Sequence, residues 1–373
     1  MEPEYPFDIF DVLRYIKNTD IKSFEDLIQK HNIDINYNFY NQYMDSDDFE
    51  FIIPEDDSER YELCKDFIEP PIFNYTFLET AIIYKNYKFC KYLLSKHTIP
   101  DYRLSILQLA IWVKNFKIFK LIENVYKQQI DKKQILQYAC EYNNFQVFQY
   151  MVEQVHMKPE KIDIWRHTVY GDSIDIAKYL LNKGFFPTPR KLKFMLNSAC
   201  DDGYDALFKW MVINLCKNEK DYINALYAAF VRHYHYRNPM WLFKYCKKHG
   251  VNINARLKGF DPLLFQVIGN YYGRDKIDAV KYLLDNGINL NAIDTVGRNI
   301  CEYVLQHYID DFISRNGPFK SNDIKDIYLE FMNRGYYSKY KVRSVNNIPK
   351  DPVYDIEGNM INNPFENCNV IEE

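Results

Sequence analysis

The sequence predicts an all-α chain built as a helical-repeat solenoid, and three observations predict it. The first is a period: Ala81, Ala110, Ala139, Thr168 and Ala199 follow one another at gaps of 29, 29, 29 and 31 residues. The second is an apolar pattern that travels with these small anchors. Phe89 and Cys90, Ile118 and Phe119, Val147 and Phe148, Ile176 and Ala177, and Leu207 and Phe208 stand eight and nine residues after them. Tyr92 and Leu93, Leu121 and Ile122, Tyr150 and Met151, Tyr179 and Leu180, and Trp210 and Met211 stand eleven and twelve after. The third is spacing inside that pattern: steps of three and four, as from Phe89 to Leu93, put the apolar side chains on one helix face. A period of about 20 to 50 residues marks one supersecondary unit stacked many times. Such a unit cannot bury its own apolar face, so its neighbours bury it.

Each unit reads as two short helices. The first ends near the small anchor, as in SILQLAIWV (105–113), where a small side chain lets two helices approach closely. The second follows a short polar turn, as in FKIFKLIENV (116–125). About nine units are expected. FDVLRYIKNTDIKSFEDLIQKHNIDIN (10–36) is the first, making residues 1–36 an N-terminal capping unit, and later units begin near 74, 103, 132, 161, 190, 220, 260 and 294. Residues 74–335 then form the main solenoid. VRHYHYRNP (231–239), NYYGR (270–274) and ISRNGPFKSN (313–322) interrupt the last three units, and DIYLEFMNRG (326–335) closes the ninth. Gly184, Gly250 and Gly287 read as C-cap glycines.

The C-terminal units carry a family resemblance. AVKYLLDNGINLNAIDTVGRNI (279–300), KYCKKHGVNINARLKGFDPLL (244–264) and IDIAKYLLNKG (174–184) resemble the ankyrin repeat, whose second helix ends in a leucine pair and glycine before a hairpin and an asparagine. Asp261-Pro262-Leu263-Leu264 stands where that family carries Thr-Pro-Leu-His, with Leu264 in place of the histidine. The resemblance implies an ankyrin-type solenoid in which most units have shortened hairpin fingers, between Lys85 and about Lys220, since 29 residues fall short of the family's roughly 33. The degenerate units also look like those of large amoeba-infecting DNA viruses.

Composition fits a long buried core: apolar residues make up 47%. The 33 Tyr and 26 Phe, beside only 12 Gly, match an A/T-rich coding bias, so aromatic content alone is no binding signature. MEPEYPFDIF has neither the basic start nor the apolar run of a signal peptide. No stretch approaches the roughly 18 apolar residues of a membrane-spanning helix. Eight scattered cysteines suggest buried thiols in a reducing compartment, and a cytoplasmic location is expected, in the host cytoplasm if the chain is viral. Residues 42–70 carry 11 Asp and Glu against Arg60 and Lys65, a net of −9 within a chain of −4, so the rest is about +5. The insertion 37–73 therefore reads as an acidic, partly disordered loop, and 336–373 as a tail.

Catalytic constellations do not emerge. No phosphate-binding glycine loop surrounds Gly269 and Gly273, and no Cys-x-x-Cys pair or nucleophile elbow occurs. His233 and His235 have a spacing that could ligate a metal, but a solvated loop is the better reading without a third ligand nearby. The same loop, VRHYHYR (231–237), mixes bases and aromatics as single-strand binders do, yet one short loop on a net-acidic chain points away from nucleic acid. No enzyme activity, metal or cofactor is expected.

A binding surface is expected two and three residues past each anchor, positions that in the ankyrin family face the concave groove. They hold Ile83 and Tyr84, Trp112 and Val113, Glu141 and Tyr142, Tyr170 and Gly171, and Asp201 and Asp202. Tyr84, Trp112, Tyr142 and Tyr170 would form an aromatic ladder with Glu141 beside it, closed by Asp201 and Asp202. Such rings are enriched in binding hot spots, although shortened fingers would also let them pack between units. Thr295, Val296 and Arg298 occupy the tip of the last finger, which the family uses for contact. The expected function is a non-enzymatic, monomeric protein–protein interaction module that presents a groove to a host or cellular protein. The second reading is a substrate adaptor for a ubiquitin ligase, weakened because 336–373 shows no apolar helical period.

Overall fold

Helix starts follow from local capping. Asp8, Asp20, Asp131 and Thr188 each accept a backbone N–H in the first turn of the helix they open. Thr76 and Glu79 close a full capping box, as do Asn299 and Glu302. In the computed structural model, residues 8–36, 76–96, 103–126, 131–159, 162–231, 240–270, 276–314 and 323–336 are described. They contain eighteen α-helices and an isolated antiparallel β-bridge between Ile293 and Asn299. The whole acidic insertion 37–73, the loop carrying His233 and His235, and all but the first residue of the 336–373 tail lie outside the described residues.

Two compact bodies divide the chain, Met1–Lys183 and Gly184–Glu373. The N-terminal body holds five helix pairs: α1 (Ile9–Asn18) with α2 (Ile21–His31), α3 (Phe77–Ile83) with α4 (Tyr87–Lys96), α5 (Arg103–Trp112) with α6 (Phe116–Tyr126), α7 (Lys132–Glu141) with α8 (Phe145–Glu153), and α9 (Ile164–Tyr170) with α10 (Ile174–Asn182). First helices pack on first helices, α1 on α3, α3 on α5, α5 on α7 and α7 on α9. Second helices do the same from α4 through α6 and α8 to α10. The body is thus an α-helical repeat in two layers.

The C-terminal body has four pairs: α11 (Pro189–Asp201) with α12 (Asp205–Asn214), α13 (Glu219–Val231) with α14 (Met240–Lys248), α15 (Leu263–Asn270) with α16 (Lys276–Asp285), and α17 (Ile300–Ser314) with α18 (Asp323–Asn333). Its first helices also stack in order, α11, α13, α15 and α17. The anchors explain the close stacking. Ala81, Ala110, Ala139, Thr168 and Ala199 are all fully buried, and Thr168 places its hydroxyl on the Ile164 carbonyl. Between the layers lie Phe24, Phe89, Phe119, Phe148, Phe208 and Phe243, each fully buried. Gly250 and Gly287 end their helices with the left-handed backbone that glycine takes without strain. Cys90, Cys140, Cys200, Cys216, Cys246 and Cys301 are free and buried, and burial pushes several of these thiols well above their ordinary range. No helix among the described residues is long and apolar enough to cross a membrane.

Candidate functional site

In the N-terminal body every first helix ends the same way. After the helix the chain takes one left-handed residue, and a polar residue then opens the second helix. The left-handed positions are Thr19, Lys85, Lys114, Asn143 and Asp172, with φ of 46 to 62°. Non-glycine residues seldom adopt this conformation, so five in register mark a turn held by its surroundings. Asn86, Asn115 and Asn144 follow, each accepting from the N–H three residues on, at 3.1 to 3.2 Å.

Two of these asparagines also reach the preceding pair. Asn86 Nδ2 donates to the Ile16 carbonyl at 2.7 Å and to Thr19 Oγ1 at 2.8 Å. Asn144 Nδ2 donates to the Ile111 carbonyl at 2.9 Å. Ser173, in the same position one pair on, donates to the Cys140 carbonyl at 2.6 Å. The Ile16, Ile111 and Cys140 carbonyls each also accept a backbone N–H, from Thr19, Lys114 and Asn143, so the side-chain bond is a second one on the same oxygen, and it fixes one pair against the next. Gly171 tightens the last step: a Cβ there would lie 2.0 Å from the Cys140 carbonyl oxygen.

This turn positions the expected contact row. Tyr84 is half-buried, with the Lys17 ammonium of α1 5.5 Å from its ring centre. Trp112 is half-buried at the end of α5, while its neighbour Val113 turns inward. Glu141 ends α7 and meets Nδ1 of His167 on α9 at 2.6 Å. Tyr142 stacks on Tyr138, centroids 6.1 Å apart at 21°, and accepts a hydrogen bond from Gln108 of α5. Burial pushes its phenol above the ordinary tyrosine range. Tyr170 is 40% exposed, and its hydroxyl accepts from Arg166 Nε at 2.9 Å. Tyr84 and Tyr142 stand three residues past their anchors and Trp112 and Tyr170 two, so the four rings alternate between two positions at the ends of four successively packed helices. Lys17 and Gln108 reach Tyr84 and Tyr142 from neighbouring first helices, and Arg166 reaches Tyr170 from its own.

The remaining candidates belong to the C-terminal body. Asp201 and Asp202 are exposed at the end of α11. Thr295, Val296 and Arg298 lie on the hairpin closed by the Ile293–Asn299 bridge. Asp294 is buried within it and accepts from the Val296 and Arg298 N–H groups and from Arg298 Nε at 2.7 Å. The Arg298 guanidinium also lies 5.0 Å from the Tyr303 ring centre, so this side chain braces the finger. The Thr295 N–H donates to Asp261 at 2.6 Å, and Val296 is 72% exposed at the tip.

A second recurring feature lies on the other layer. Tyr92, Tyr150 and Tyr179 each bond a glutamate of the preceding pair, Glu25, Glu123 and Glu153, at 2.9 Å. Each ring also meets the preceding pair's phenylalanine edge to face, Phe24, Phe119 and Phe148. Lys96, Lys120 and Lys183 close the groups, their ammoniums 3.9 to 5.6 Å from the ring centres. The period exposes these tyrosines; their glutamates sit at no constant offset and escape it. Among the described residues no group of three or more His, Cys, Asp or Glu is placed to hold a metal ion. No family model and no curated protein matches the chain.

Proposed function

We propose that this chain is an ankyrin-type interaction module that captures a protein partner without catalysing a reaction. The observation that carries this reading is the recurrence of Tyr84, Trp112, Tyr142 and Tyr170 two or three residues past the buried anchors of a packed stack of helices. Tyr84, Tyr142 and Tyr170 already meet Lys17, Gln108 and Arg166 before any partner arrives, so binding orders little and affinity is not lost to that cost. The ankyrin type draws support from the Asp261-Pro262-Leu263-Leu264 helix start, the left-handed Gly250 and Gly287, and the hairpin at Ile293–Asn299. We place the module in the cytoplasm as a monomer, with viral origin resting on the resemblance in its degenerate units.

Tyr170 gives the cleanest test because it is the most exposed ring of the row. The full chain is immobilised, bound proteins are recovered from the cognate cell, and Tyr170→Ala is compared with Trp112→Ala. Both should lose the same specific partner, since truncating a central aromatic anchor costs about 2 kcal/mol of affinity or more. Tyr170→Ala should keep its melting temperature within the effect of a surface change, about 0.5 kcal/mol. Undiminished capture by both variants would remove the row from the binding surface.

A further inference from the structure

We propose that the turn edge of the N-terminal body docks an acidic segment of a partner protein. This rests on the interaction reading above and gives it a partner chemistry. Two columns at fixed register carry it. The left-handed column runs Thr19, Lys85, Lys114, Asn143, Asp172. The column at the second position of the second helices runs Lys22, Lys88, Lys117, Gln146, Asp175. From the second pair onward both pass through basic, then neutral, then acidic residues in the same order along the stack. Lys22, Lys85, Lys88, Lys114 and Lys117 are exposed, and among the described residues none of the last four is in an ion pair.

Local helix energetics do not account for these lysines. The positive end of a helix dipole favours acids in the first turn, a preference Asp175 meets in α10 and Lys22, Lys88 and Lys117 oppose in α2, α4 and α6. Packed helices lie about 10 Å apart, so Lys85, Lys88, Lys114 and Lys117 form one patch across two adjacent turns. Tyr84 follows the end of α3 and Trp112 ends α5, the helices that lead into those turns, and Tyr87, 40% exposed, opens α4.

The change of sign selects the class of partner. A nucleic-acid backbone repeats the same negative charge at every step and would meet Asp172 and Asp175 at the far end of the edge. A protein segment can be acidic over the lysines, polar or basic over the aspartates, and apolar over the ring row, which is the complementarity that sets partner choice and register.

The test uses the full chain and fluorescence anisotropy with a labelled peptide of Glu, Asp and Leu. Lys85→Glu combined with Lys114→Glu should weaken binding roughly tenfold or more. Asp175→Lys should tighten it by extending the basic run, and added salt should loosen all three proteins' binding as screening shortens the reach of these charges. Circular dichroism checks that each variant folds. Absent binding, or equal binding by wild type and double variant, overturns the proposal. So does tighter binding of oligo-dT than of the peptide, which would assign the edge to nucleic acid. Binding that appears only when residues 42–70 are deleted would assign the edge to the chain's own acidic segment and overturn the proposal equally. A cellular partner lost in Tyr170→Ala but kept by the lysine variant would leave the interaction module standing and remove only the acidic chemistry.

Discussion

Asn144 performs two tasks with one side chain. Its oxygen caps α8 through the Val147 N–H, and its amide bonds the Ile111 carbonyl of the preceding pair. Asn144→Ala should therefore cost more than an ordinary cap, about 1–3 kcal/mol by denaturant unfolding, because a buried hydrogen bond to the preceding pair is lost as well. Asn144→Ser should recover part of the loss, since Ser173 makes the equivalent bond one pair on. A serine variant no better than alanine would show that the reach to Ile111 contributes nothing. Gly171 is constrained from the other side: an added Cβ meets a backbone carbonyl rather than a movable side chain. Gly171→Ala should lower stability by about 1–3 kcal/mol through overpacking, and an unchanged unfolding midpoint would contradict the close approach of α9 to α7. The recurrence of Asn86, Asn115 and Asn144 was visible in sequence as a polar turn. Its role was not, because the acceptor of Asn86 lies 70 residues away, across the acidic insertion.

At the scale of helices, the repeat was legible because one property, burial, acts at every period. The anchors and the phenylalanines behind them are all fully buried, and burial writes itself into residue type. The contact row was legible only as positions. Glu141 is drawn to His167, Tyr142 to Gln108 and Arg298 to Asp294, and such pairings depend on rotamers and neighbours that a period does not encode. The second-helix tyrosines give a pH prediction. Burial first, and then the hydrogen bond to Glu153, push Tyr179 up to about 12, and Tyr92 and Tyr150 are raised as well. An unfolded chain releases tyrosine protons near pH 10. The folded value is the higher one, so the contribution is fully present below about pH 10 and is lost as pH rises through about 12. Near-ultraviolet absorbance should show a delayed phenolate step that Tyr179→Phe reduces. A wild-type titration with every tyrosine ionising near pH 10 would contradict the Tyr–Glu pairing.

At the scale of a whole body, stacking sets how damage spreads. In a one-dimensional array each pair is stabilised by its immediate neighbours, so the loss at one pair is passed on and diminishes with distance. Ala139 is the place to test this in the N-terminal body. It is fully buried on α7, which packs against α5 on one side and α9 on the other. Ala139→Asp inserts a carboxylate with no partner into that contact, where burial of an uncompensated charge costs several kcal/mol, about 3 or more after local relaxation. Amide hydrogen exchange then reads the spread directly. Protection should fall most in α7, next in α5 and α9, and least in α1, the helix furthest along the stack. The second helices α6, α8 and α10 should follow their partners, since each is tied to its first helix by the turn that the asparagine or serine holds. An equal loss of protection from α1 to α10 would mean that the body opens as a single cooperative block rather than pair by pair. No loss at all would place residue 139 outside the helix contact and break the register on which the contact row and the lysine columns both depend.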